Sequence, residues 1–68
     1  MPTLLASAPT LDDIRDSVVR FYCGQSMTLL PSSDNRWIIS RTHDGKEIEG
    51  VHVIRKRGRY RLEMNGES

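Results

Sequence analysis

Turn-forming residues divide the second half of the chain at short intervals, and this punctuation constrains the fold more than any other feature. Pro31-Ser32-Ser33-Asp34-Asn35, Asp44-Gly45 and Arg57-Gly58 separate short segments rich in strand formers such as Trp37, Ile38, Ile39, Val51, Val53 and Ile54. Connections this short join antiparallel neighbours. The reading is a meander with strands at Gln25 to Leu30, Arg36 to Thr42, Glu47 to Lys56 and Arg59 to Met64.

A different period precedes it. Leu11, Ile14, Val18 and Phe21 or Tyr22 recur at three- and four-residue steps, with Asp12, Arg15, Asp16 and Arg20 available for the other side. Thr10 is placed to cap this helix, Asp12 and Asp13 suit its positive end, and Gly24 stands where a left-handed residue would close it. The expected fold class is α+β, with one N-terminal amphipathic helix packed on a three- to four-stranded antiparallel β-meander.

Strand alternation then tests the pairing. A two-residue Arg57-Gly58 loop sets Lys56 opposite Arg59, Val53 opposite Leu62 and Val51 opposite Met64, so apolar residues meet on one face and basic residues on the other. A three-residue His43-Asp44-Gly45 loop places Trp37 opposite Val51, and a bulge at Gly50 would bring Trp37 to the same face. The helix-facing side is then Met27, Leu29, Trp37, Ile39, Val51, Val53, Tyr60, Leu62 and Met64. Ser26, Thr28, Leu30, Arg36, Ile38, Ser40, His52, Ile54, Lys56, Arg59 and Arg61 take the other.

Size now matters. A chain of 68 residues forms one domain and buries only about 60% of the surface it exposes unfolded. Its single cysteine, Cys23, allows no internal disulfide and no multi-cysteine zinc site. Such a domain rests on well-formed packing or on surface buried against a copy or a partner. Residues 1–9 carry no positive charge and no long apolar run, so they fail as a secretory signal and are expected to be a flexible segment, with the domain over 10–64 and a flexible tail at 65–68. With no long apolar segment anywhere, the expected location is cytoplasmic, away from membranes.

Chemistry-bearing residues are scattered. His43 falls in a predicted loop and His52 on a strand, Cys23 ends a helix where the backbone does not favour a thiolate, and Asp12, Asp13 and Asp16 are accounted for by helix-start preference. The glycines stand singly and make no phosphate-cradling loop. No enzyme, cofactor, metal or small-molecule substrate is expected.

Charge is not scattered. The net charge is +1, yet residues 36–61 hold eight basic against three acidic residues, and five of the ten cations fall within Arg55-Lys56-Arg57-Gly58-Arg59-Tyr60-Arg61. Arg36, Arg55, Lys56, Arg57, Arg59 and Arg61 are therefore the candidate polyanion contacts. Charge that keeps an edge strand from pairing is the competing explanation. The expected function is a small non-enzymatic interaction module that binds a protein partner or self-associates through its sheet, by an unpaired edge or by Leu30, Ile38 and Ile54. The alternative is nucleic-acid binding through the basic hairpin.

Overall fold

The computed structural model describes residues 3–65. Met1, Pro2 and residues 66–68, and with them most of the expected tail at 65–68, lie outside the described residues. The chain runs β1 (Thr3–Ala8), α1 (Leu11–Phe21), β2 (Met27–Ser33), β3 (Arg36–Arg41), β4 (Glu47–Lys56) and β5 (Arg59–Met64). All five strands form one antiparallel sheet in the order β1-β5-β4-β3-β2.

A helix on an antiparallel sheet is the expected class, but the sheet has five strands and the helix is not the first element. Thr3–Ala8, expected to be a flexible segment, is a strand paired along β5, with Ala6 opposite Leu62 and Ala8 opposite Tyr60. Its sequence TLLASA has no alternation and few strand formers. It is held by β5, more than fifty residues later, rather than by local preference.

The helix carries the chain from one edge of the sheet to the other, since β1 and β2 flank it in sequence and end the sheet in space. Thr10 caps its start in extended conformation, the hydroxyl accepting from the Asp13 amide at 3.1 Å. Ile14 and Val18 are fully buried, and they meet Ala8, Met27, Ile39, Val53 and Leu62 in the core. At the other end the Cys23 amide donates to the Arg20 carbonyl at 3.1 Å and the Gly24 amide to the Val19 carbonyl at 2.8 Å. This paired closure places Cys23, at φ 59°, in the first left-handed position, one residue before the glycine expected there.

An 11-residue helix is about 16 Å long, whereas five strands span roughly 19 Å between their outer axes, so the cover is incomplete. Leu62 and Val53 lie fully beneath it, Trp37 is half-buried against Tyr60 with ring centroids 5.5 Å apart, and Met64 is exposed. Membership of the helix-facing side therefore did not guarantee burial.

The β4–β5 register is the expected one throughout, from Val51 opposite Met64 to Lys56 opposite Arg59. The β3–β4 register differs. Trp37 lies opposite Val53, two residues beyond the expected Val51, because the loop spans Thr42 to Gly45 and β4 is irregular between Glu47 and His52. Gly50, at φ 81°, supplies the backbone conformation that lets Ile48 and Val51 both pack against the core although they stand three positions apart, a step that regular alternation would send to opposite faces.

Candidate interaction surfaces

Alternation along β4 and β5 sends Leu62, Val53 and Val51 toward the helix and Lys56, Arg59 and Arg61 away from it. The hairpin tip is a two-residue turn with Arg57 at φ 54° and Gly58 at φ 77°, both left-handed as a tight hairpin requires. Ser7, on β1, sits opposite Arg61 and accepts a hydrogen bond from Arg59 Nε at 3.3 Å. Together Ser7, Lys56, Arg57, Arg59 and Arg61 line a cleft of about 300 Å³.

Cross-strand pairing places further residues in rows on this uncovered face. One row reads Arg36, Ile54, Arg61, Ser7 across β3, β4, β5 and β1. Arg36 therefore belongs to the same face, about 10 Å from Arg61 across two strand spacings. Arg55 does not, because it pairs with Tyr60 on the helix side. Five of the six candidate polyanion contacts are thus brought to one face or its tip, and one is separated.

The next row reads Leu30, Ile38, His52, Glu63, Leu4. Glu63 is buried, with Oε2 3.1 Å from Arg61 Nε and Oε1 3.7 Å from His52 Nε2. Arg61 Nε has no well-aligned hydrogen bond, so this contact is an ion pair rather than a directed bond. Among the described residues the remaining ion pairs join Asp44 to Arg41 and to His43 at the other end of the sheet. Arg36, Arg55, Lys56, Arg57 and Arg59 take part in none.

Alternation along the hairpin places Glu63 next in line on the face of Arg59 and Arg61, and the register sets it opposite His52. Ser7 gave no signal, because its strand was unrecognised.

The candidate self-association residues are adjacent but not prominent. Leu30 pairs with Ile38, and Ile54 lies diagonally across from Ile38, yet only Leu30 is exposed while Ile38 and Ile54 are half-buried. Among the described residues the other exposed large apolar side chains are Leu4, Phe21 and Met64. These three surround β1, at the far edge of the sheet from Leu30.

The other group of charged side chains among the described residues is Asp44 with Arg41 and His43. The Asp44 carboxyl is held below its ordinary range, chiefly by the Lys46 amide donating to Oδ1 at 2.9 Å and then by the nearby Arg41 guanidinium. Burial pushes the Tyr22 phenol up. His52 is on the uncovered face and Cys23 ends the helix on the opposite one, so the sheet separates them. A cleft of about 390 Å³ between α1 and β2 has Asp12 and Arg15 as its charged groups. No cluster of three or more metal-ligating side chains occurs among the described residues. Nor is any described helix long and apolar enough to cross a membrane.

No protein-family model, curated protein or solved structure matches the chain.

Proposed function

We propose that this chain is a small non-enzymatic interaction module that binds a nucleic-acid backbone through the β4–β5 hairpin and the uncovered sheet face. The observation that carries this reading is the cleft of Lys56, Arg57, Arg59 and Arg61, of which only Arg61 is ion-paired among the described residues. Phosphates spaced along a backbone suit cations arranged in rows, with Arg36 extending the field across the sheet. Asp12, Asp13 and Asp16 belong to the helix on the other face. Glu63, the acid of the uncovered face nearest the cleft, is engaged by Arg61 and His52.

Aromatic stacking adds little, because Trp37 and Tyr60 pack on each other on the helix side. Recognition is then of charge and shape rather than of base sequence. Fluorescence anisotropy with a labelled short duplex and a labelled single strand tests this at several salt concentrations. Binding must weaken as salt rises, and serine at Lys56, Arg57 and Arg59 must weaken it further. Absence of binding at low salt would leave the hairpin as a solvated, charge-protected element.

Protein binding through the sheet is the second reading, and the exposed apolar residues around β1 favour it.

A further inference from the structure

We infer that two copies of this chain pair through β1, antiparallel and about a two-fold axis, to make one continuous sheet of ten strands. The two edges of the five-stranded sheet differ in kind. β2 carries Pro31 within its span, which removes a backbone donor and discourages addition of another strand. β1 is TLLASA, without charge, proline or glycine, and is paired on one side only. An edge of this kind is what proteins ordinarily protect, and apart from one register shift between Leu4 and Ala6 it carries neither of the stronger devices, a charge or a proline.

Exposed apolar surface lies where a second strand would cover it. Leu4 is 48% exposed on β1, Met64 is 38% exposed opposite Thr3, and Phe21 is 45% exposed. Phe21 shares a cleft of about 300 Å³ with Leu5, Ala6, Ser17, Arg20 and Leu62, alongside the same strand. A second copy brings the identical strand and the identical cleft, so each covers the other's. Because β2 is obstructed, a head-to-tail chain of β1 on β2 is disfavoured and the closed pair results.

Charge selects the orientation. The cationic cleft lies toward the Ala8 end of β1, where Ser7 receives Arg59, whereas Leu4 at the other end lies beside Glu63. Parallel pairing would set two cationic ends side by side. Antiparallel pairing sets each cationic end against the Leu4 and Glu63 end of its neighbour, separating the like charges by roughly the length of the strand, about 17 Å. A two-fold axis perpendicular to the sheet also keeps both uncovered faces on one side. The two helices then share the other side, with Phe21 of each near the seam.

Sedimentation equilibrium without any nucleic acid tests the pairing independently of the phosphate reading. The unmodified chain should dimerise reversibly. Leu4→Lys should weaken the dimer at least roughly tenfold, as a charge on an edge strand does, and Leu30→Lys on the β2 edge should leave it unchanged. Hydrogen exchange of the amides of residues 3–8 supplies the check that needs no variant: protection should rise with protein concentration. A monomer with concentration-independent exchange overturns the inference, as does a dimer weakened by Leu30→Lys and not by Leu4→Lys. Phe21→Ser, at an exposed helix position, replaces Leu4→Lys should that variant fail to fold, with the same expected loss.

Discussion

Glu63 holds Arg61 by its side chain, Oε2 to Nε at 3.1 Å, beneath a face that is otherwise cationic at that end. The pair divides the basic hairpin into one arginine held by a carboxylate and neighbours that take part in no ion pair among the described residues. Glu63 is 8% exposed while the Arg61 side chain is 35% exposed, so solvent screens the pair in part. Replacing Glu63 with glutamine keeps the shape and removes the charge. Stability should fall by about 1–2 kcal/mol, discounted from a fully buried pair, while binding of a polyanion strengthens. Urea denaturation and anisotropy on one variant measure both, and a fall in both would assign Glu63 to shaping the site.

Cys23 occupies a left-handed backbone position without a side-chain hydrogen bond to compensate it. Glycine adopts that conformation without the steric cost of a β-carbon, about 1 kcal/mol. Cys23→Gly should therefore raise the urea midpoint, despite the greater entropy of its unfolded chain. Unchanged or lower stability would mean that the thiol makes a packing contribution of the same size.

Leu62 is fully buried between the helix and the centre of the sheet, and Leu62→Ala should cost about 2–5 kcal/mol, enough to unfold a domain this small. Trp37 is only half-buried at the rim, against Tyr60. Trp37→Ala should cost less than Leu62→Ala, and Trp37 fluorescence should remain accessible to iodide. Complete protection from the quencher would show that something further covers this rim.

The contrast between these two residues shows what was legible. Alternation placed Trp37, Val53 and Leu62 on one face correctly, because parity survives a shift of two residues in register. It did not give burial, which depends on how far an 11-residue helix reaches. The basic cleft was legible as a charge run, and Arg55 separated from it by the same alternation that placed Leu62. Ser7 and the β1 edge were not legible, because the partner that makes Thr3–Ala8 a strand lies at the opposite end of the chain.

Asp44 offers a pH test at the far end of the sheet. Its folded-state carboxyl is held below the ordinary value of 3.8, first by the Lys46 amide and then by Arg41. A depressed carboxylate stabilises the fold fully above its unfolded value, and that contribution is lost as pH falls through the folded value. The melting-temperature difference between the unmodified chain and Asp44→Asn should therefore be constant near neutrality and shrink below about pH 4. A difference that persists at pH 2 would place the effect in hydrogen bonding rather than charge.

Arg57 separates the two explanations of the basic hairpin. It holds φ 54° at the first position of a two-residue turn, where asparagine before glycine is favoured and a long side chain costs about 1 kcal/mol. If the cation serves only to keep the hairpin solvated, asparagine is the better residue and nothing is lost by the change. If Arg57 contacts a phosphate, the strained position is retained for binding, and Arg57→Asn should stabilise the fold while weakening the complex. The log–log salt dependence should also flatten by about one unit, the contribution of one released counterion. Thermal melts and anisotropy across a salt series measure both on the same sample. A more stable variant with an unaltered salt slope would remove Arg57 from the interface and leave Lys56, Arg59 and Arg36 to account for any polyanion binding.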